Sequence, residues 1–182
     1  MNQSINDVLN FWFSDENAKK WFRSSDAFDA EISHRFESLW QSALKGQLDS
    51  WAETADGCLA LCLVLDQFAL NMYRGDRKSF QTEQQAVDVA TKAIAQGFDD
   101  QLEDSRVSFL YMPLMHSEDI DDQNLSVQCF NKRNLQSNLR FAKHHRAIIV
   151  EFGRFPHRNA LLGRESTADE LAYLQSKRAF KG

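Results

Sequence analysis

The chain has 182 residues, of which 43% are hydrophobic and 12% aromatic, and its formal net charge is −5. This composition excludes a disordered chain, and the longest apolar run, residues 58–65, is too short to cross a membrane. The N-terminal residues lack the pattern of a secretory signal and three cysteines do not complete a disulfide framework, so we expect a cytoplasmic protein without a membrane segment.

Charge is divided unevenly along the chain. Residues 131–182 contain eleven Lys and Arg against four Asp and Glu, whereas residues 1–130 contain ten against twenty-two. The two parts therefore carry about +7 and −12. Such asymmetry indicates either an anionic partner or pairing between the two parts within the fold, and both interpretations stay open.

Helical periodicity dominates the first two thirds of the sequence, and no run alternates as a strand would. A short amphipathic helix is predicted at residues 5–13, and a second helix over 28–43 is closed by Gly46. The most apolar helix, over 54–68, is expected at the centre of the fold. A helix over 82–94 then ends at Gly97, and we expect Pro113 to break the apolar segment at 109–115.

The last third of the chain carries clear helix boundaries. Ser117 is predicted to cap a helix that runs to about residue 130, and a long basic helix is predicted to stop at Gly153. Residues 166–170 read as a capping box that opens a final helix to residue 174. We therefore predict an all-α single domain over residues 1–182, with seven to eight helices packed as a bundle or a helical-hairpin stack.

Two polar residues lie on apolar faces of predicted helices. Asp66 shares the core stripe of the central helix, and His145 shares the apolar stripe of the basic helix. An isolated buried charge is very costly, so Asp66 needs a partner. We expect an arginine to supply it, the candidates being Arg74, Arg154, Arg158 and Arg164. Each polar residue is interpreted either as a satisfied core group or as part of a site.

The densest group of hydrogen-bond donors follows Gly153. It consists of Arg154, His157, Arg158, Asn159 and Arg164. Guanidinium groups bind carboxylates and phosphates through paired hydrogen bonds, and histidine moves protons near neutral pH. We predict a site for a small anionic ligand, with His157 or His145 as general acid or base, oriented by Asp66 or Glu118. Alternatively, the same donors satisfy helix carbonyls and acidic side chains as a structural network.

Other kinds of site find less support. His116, His145, His157 and Glu118 form a donor set that a transition metal accepts, but no compact spacing such as H-E-x-x-H is present, so no metal is predicted. The sequence has no glycine-rich phosphate loop and no nucleophile elbow, and we predict no cofactor. A pI near 5.5 and the lack of an RNA-binding motif argue against a nucleic-acid partner.

Several long and unusual motifs resemble those of a bacterial family catalogued as the domain of unknown function nine hundred and twenty-four. They include residues 65–68 (LDQF), 73–75 (YRG), 111–119 (YMPLMHSED), 152–159 (FGRFPHRN) and 162–164 (LGR). Where the family commonly has Pro-Arg after Gln-Phe, this chain has Ala69-Leu70, so any role of that arginine is absent or taken over here. The resemblance covers nearly the whole chain and implies a helical fold similar to tetratricopeptide-repeat proteins, but no established reaction.

The family motifs coincide with the polar positions of the predicted site. They contain Asp66, Gln67, Arg74, His116, Glu118, His145, Arg154, His157, Arg158, Asn159 and Arg164. Our first hypothesis is the anionic-ligand site, with His157, His145 and Asp66 as candidate catalytic residues and the others as ligand-binding residues. The second is an interaction module whose basic groove binds an acidic peptide or protein through Lys132, Arg133, Arg140, Lys143 and Arg146.

Overall fold

In the computed structural model, which describes residues 3–23 and 25–180, all regular secondary structure is helical and those residues contain no strand. The prediction of an all-α domain is confirmed. The α-helices are α1 (Ile5–Trp12), α2 (Asp26–Leu44), α3 (Ala55–Cys62), α4 (Ala69–Met72), α5 (Glu83–Ala95), α6 (Asp104–His116), α7 (Ile120–Lys132), α8 (Gln136–Phe152), α9 (Asn159–Leu162) and α10 (Ala168–Gln175).

The central helix contains a wider, π-helical turn. A π-helical turn, Leu63–Phe68, joins α3 to α4, so that Ala55–Met72 runs as one continuous helix. Thr54 caps its start by accepting a hydrogen bond from the Gly57 amide, as the predicted start at residue 54 requires. This helix is long and apolar enough to cross a membrane, but 72% of it is buried inside the fold, as is typical of a core helix of a globular domain.

Two predicted boundaries are wrong. Pro113 lies inside α6 and does not break it. The proline removes one backbone hydrogen bond close to the helix end, and the continuous burial of residues 107–115 holds the helix together. Ser117 is not the cap of the next helix: Asp119 caps α7, accepting from the Asp121 and Asp122 amides. Ser117 instead donates to the Asp122 carboxylate at 2.7 Å.

The boundaries around the donor-rich segment are confirmed. Helix α8 ends at Phe152, and Gly153 follows in the left-handed conformation with φ of 70°, which glycine adopts without strain. Thr167 and Glu170 form a reciprocal capping box at the start of α10. The short helix α9 between them has four residues, too few for periodicity to reveal.

The apolar interior consists of two clusters of different size. The main core runs through helices α1 to α8 and contains fully buried aromatics such as Trp12, Phe36 and Phe68. A much smaller cluster of Ile148, Ile149, Phe155 and Tyr173 lies under residues 153–180, which we call the C-terminal cap. The cap therefore has little apolar surface with which to hold itself against the bundle.

Candidate functional site

A histidine and a buried aspartate form a pair where the central helix meets α6. The Nδ1 atom of His116 lies 2.8 Å from Oδ1 and 3.1 Å from Oδ2 of Asp66. The Asp66 side chain is 4% exposed, whereas the His116 side chain is 19% exposed. Within the described residues, the other ring nitrogen of His116, Nε2, makes no hydrogen bond. We call these two residues the Asp–His pair.

The aspartate is held by the π-helical turn. Asp66 and its neighbour Gln67 both lie in this turn, and Gln67 Nε2 donates to Asp66 Oδ2 at 2.6 Å. A π-helical turn inserts one extra residue into a helix and occurs frequently at functional sites. The turn therefore aims a carboxylate across the bundle while the flanking helix stays buried.

Arg158 joins the cap to the Asp–His pair. Its Nη2 donates to the His116 carbonyl at 2.7 Å and its Nη1 to the Glu83 carboxylate at 2.7 Å. The guanidinium lies 4.5 Å from the centroid of the Phe80 ring and 4.7 Å from that of Phe155. Burial raises the pKa of Glu83 above its usual value, although Arg158 opposes the shift. In the part of the chain that the structure describes, the buried Nε of Arg158 has no hydrogen-bond partner.

Arg164 is paired with Glu118. Its two terminal nitrogens lie 2.6 and 2.9 Å from the two Glu118 oxygens, and the Phe155 amide donates to the same carboxylate at 2.8 Å. Burial opposes ionisation of Glu118, but these hydrogen bonds hold the pKa of Glu118 below its usual value. Arg164 Nε also donates to Asn159 at 3.0 Å. The pair thus ties the cap to the loop between α6 and α7.

Arg154 and Asn159 meet on Glu170. Arg154 binds both carboxylate oxygens, at 2.7 and 2.9 Å, and Asn159 donates to one of them at 3.2 Å. The Thr167 amide donates to the same oxygen at 2.7 Å. The hydrogen bond from Arg154 is the main reason that the pKa of Glu170 falls to about 2. Glu170 therefore both caps α10 and holds Arg154 at the start of the C-terminal cap.

His145, which is buried, and His157, which is half-buried, lie among aromatic rings. His145 is 3% exposed, which confirms its predicted place on the apolar stripe, and its Nδ1 lies 2.9 Å from the Phe141 carbonyl. Burial, assisted by His116, lowers the pKa of His145 to about 3. Burial, assisted by Arg158, lowers the pKa of His157 to about 4. Both rings are therefore neutral at pH 7, and the buried Nδ1 of His157 has no hydrogen-bond partner.

The structure brings most of the predicted site residues together, with two differences. Arg74 lies elsewhere, where it binds Asp29 at 2.7 and 3.1 Å and Asn71 at 3.0 Å. The expectation that an arginine binds Asp66 is wrong, since the hydrogen-bond partners of the carboxylate are His116 and Gln67. A lone helical stripe identifies a buried face, but not which neighbouring helix supplies the partner.

Two residues of the site were missed by sequence reasoning. Glu83 is the partner of Arg158, and nothing in the first turn of α5 distinguishes it from a surface acid. Phe180 contacts both buried histidines, although no helical pattern includes it. Glu170 was recognised only as a capping residue, and its second role depends on a contact with Arg154 sixteen residues away.

Two clefts lie apart from the Asp–His pair. One, of about 740 Å³, opens between the end of α8 and α10 and is lined by Arg154, Phe152 and Tyr173 among others. The second, of about 330 Å³, lies near the end of α2 and is lined by residues such as Leu65 and Lys92. Neither is lined by the histidines. Among the residues that the structure describes, no three His, Cys, Asp or Glu side chains are arranged to hold a metal ion.

Comparison of the sequence with known protein families gives a match. The model of a family described as "Bacterial protein of unknown function (DUF924)" matches residues 8–178, which include the whole site except the last residues of the cap. The chain belongs to this family. It is also similar to a solved structure, a protein of unknown function (ATU0120) from Agrobacterium tumefaciens, with 37% identity and a TM-score of 0.89. That match covers 94% of this chain and 96% of the other. No curated protein matches the chain.

Proposed function

We propose that this DUF924 protein binds a small molecule carrying a carboxylate or phosphate group beside His116, and that His116 acts on it as a general acid or base. The observation that supports the proposal is the buried Asp66 carboxylate on Nδ1 of His116, while Nε2 has no hydrogen-bond partner among the described residues. A histidine oriented in this way by a carboxylate is the usual arrangement of a proton-transfer group.

The chemistry of the pair follows from its hydrogen bond. An ionised carboxylate only accepts, so Nδ1 carries the hydrogen and Nε2 of a neutral His116 is a base. When Nε2 takes a proton, the Asp66 charge stabilises the resulting imidazolium. The ring can therefore accept a proton from a ligand and return it without reorienting.

Two further nitrogens support an anionic ligand. Among the described residues, Arg158 Nε and His157 Nδ1 are buried without a hydrogen-bond partner, and Arg158 binds the His116 carbonyl. Arg158 Nε always carries a hydrogen, whereas His157 Nδ1 carries one in one of the two neutral tautomers. A buried donor without a partner costs about 1–3 kcal/mol, which a carboxylate or phosphate oxygen would recover.

The alternative of a structural network accounts for part of the predicted set. Arg154 and Arg164 each bind both oxygens of a glutamate, so we assign them, with Asn159 and Glu118, the role of positioning the cap. The interaction-module hypothesis has less support. Lys132 and Arg133 pair with Asp100 and Asp104, and Arg146 binds Asn124, whereas Arg140 and Lys143 are exposed.

A cytoplasmic location is part of the proposal. Cys58, Cys62 and Cys129 are free and buried, and burial raises the pKa of all three thiols. Free thiols of this kind are typical of proteins from reducing compartments.

A thermal-shift screen of carboxylates and phosphates tests the proposal. At a ligand concentration of one hundred times Kd, binding stabilises the protein by about 2.7 kcal/mol, or roughly 5–10 °C in Tm at this size. We expect at least one compound to raise the Tm of the parent protein by this amount. The His116→Gln protein should lose the shift, and His34→Gln, a change of an exposed histidine on α2, should retain it.

Two results would contradict the proposal. The first is a full shift in the His116→Gln protein, which would place the ligand elsewhere. The second is a screen in which no carboxylate or phosphate stabilises the parent protein, which would leave the Asp–His pair with a structural role only.

A further inference from the structure

The ring of Phe180 occupies an aromatic cage beside the Asp–His pair. Its centroid lies 4.4 Å from that of the His145 ring and 5.1 Å from that of His157. Phe155 forms the back of the cage, with its centroid 5.5 Å from His145 and 5.6 Å from His157. The cage residues come from α8 and from the segment between α8 and α9, whereas Phe180 comes from the end of the cap.

The segment that carries Phe180 is weakly attached. Residues 176–180 follow α10 and contain no regular helix. Besides the Phe180 ring, Ala179 packs against the small apolar cluster, and the Phe180 amide donates to the Tyr173 hydroxyl at 2.9 Å. Arg178 lies 5.8 Å from the Tyr173 ring centroid and forms an exposed ion pair with Glu151 at 3.4 Å. Exposed ion pairs contribute about 0–1 kcal/mol, so the main cost of opening this segment is the loss of the Phe180 and Ala179 contacts.

The cage adjoins the nitrogen atoms that the proposed ligand would contact. The His145 ring centroid lies 6.4 Å from that of His116, and the unpartnered His157 Nδ1 belongs to the cage itself. A ring in the position of Phe180 would therefore have the His145 ring as a neighbour, as His116 has. Stacked or edge-to-face contacts with imidazole and phenyl rings favour a flat aromatic ring over an aliphatic group.

We propose that residues 176–180 form a lid and that the Phe180 ring stands in for an aromatic ring of the ligand, so that the ligand is an aromatic carboxylate or an aryl phosphate. This inference rests on the proposed function, because the acidic group of the ligand is the one that reaches His116. The ring enters the cage when the lid opens, and Phe180 competes with it for the same position.

Phenyl phosphate, cyclohexyl phosphate and inorganic phosphate test the inference as probes. Binding is followed by the chemical shifts of the histidine rings in the parent protein, in Phe180→Ala, and in Phe22→Ala, which removes an exposed aromatic (76%) outside the cage. Removing the competing ring should lower the Kd of phenyl phosphate about tenfold in Phe180→Ala and leave it unchanged in Phe22→Ala. Cyclohexyl phosphate should gain less, and inorganic phosphate should bind the parent and Phe180→Ala equally.

A second change separates a lid from a general loosening of the cap. Adding His157→Ala to Phe180→Ala should abolish the tenfold gain while thermal unfolding stays cooperative. Equal affinity of phenyl phosphate for the parent and Phe180→Ala, or an equal gain for cyclohexyl phosphate, would overturn the inference but leave the proposed function intact if inorganic phosphate still shifts His116. If no probe shifts His116 in any variant, the inference and the proposed function both fail.

Discussion

The helical bundle and the C-terminal cap are held together by different interactions. The bundle buries a continuous apolar core in which Trp12, Phe36 and Phe68 are fully excluded from water. The cap shares a cluster of four buried apolar residues with α8. Arg158 and Arg164 fasten it to the bundle by ion pairs, and Arg154 pairs with Glu170 inside it. Apolar burial tolerates many sequences of similar volume, whereas paired hydrogen bonds require particular side chains at particular positions.

This difference changes how the donor-rich segment is interpreted. A dense run of arginines and asparagine suggests a ligand site. However, Arg154 and Asn159 donate to Glu170, and Arg164 donates to Glu118 and Asn159. The groups left for a ligand are those that ion pairing does not saturate. Among the described residues they include His116 Nε2, His157 Nδ1 and Arg158 Nε.

A substitution in the bundle core and one in an ion pair that holds the cap should lower the unfolding free energy by different amounts. Phe68→Ala removes a fully buried ring from the bundle and is expected to cost about 3–5 kcal/mol of unfolding free energy. Glu118→Gln removes the charge that Arg164 binds, in a pair that is about one quarter exposed, and should cost about 1–2 kcal/mol. Denaturant unfolding measures both values.

Hydrogen exchange shows which helices each substitution destabilises. Phe68→Ala should accelerate exchange of slowly exchanging amides in the bundle and the cap together, because the core unfolds as a unit. Glu118→Gln should accelerate exchange in α9 and α10 and leave α2 and α3 unchanged. Equal acceleration in all four helices would show that the cap is not a separate unit of stability.

Acid should weaken the cap before the bundle. The pKa values of His145 and His157, about 3 and 4, lie below the ordinary value of 6.5, so below pH 6.5 the unfolded chain binds more protons than the folded one. Their contribution is complete above pH 6.5 and is lost as the pH falls through about 4 for His157 and about 3 for His145. Glu170, with a pKa of about 2, loses its contribution only below about 4.5.

His157→Phe is the variant that isolates this effect. It keeps a ring in the cage and removes one titrating group, so the unfolding free energy should fall less steeply between pH 6.5 and 4.5 than in the parent protein. Urea unfolding at intervals of pH measures the slope, with the exposed His34→Gln as control. An unchanged slope in His157→Phe would mean that His157 does not stay neutral in the folded protein.

The sequence predicted those features that depend on local pattern. Gly153 ends α8 because a left-handed residue is needed there, and the capping box of α10 needs only residues three apart. The burial of His145 follows from helical periodicity. Each of these is decided within one or two turns of helix.

Features that depend on packing between helices could not be predicted in this way. The partner of Asp66 lies fifty residues away on α6, and the partner of Arg158 lies seventy-five residues away on α5. The π-helical turn that contains Asp66 cannot be recognised in the sequence, because its residues are as buried as those of the flanking helix. The start of α7 was misplaced because serine and aspartate are both good caps, and only the contact between Ser117 and Asp122 decides between them.

The measurement that tests the Asp–His pair most directly is ¹⁵N NMR of the His116 ring in the parent protein and in Asp66→Asn. We predict that neutral His116 carries its hydrogen on Nδ1, and that Nε2 is the nitrogen whose shift changes when a ligand identified in the screen is added. Asp66→Asn should remove this preference and the response together. A hydrogen on Nε2 of the neutral ring, or a ligand response that persists in Asp66→Asn, would contradict the role assigned to the pair.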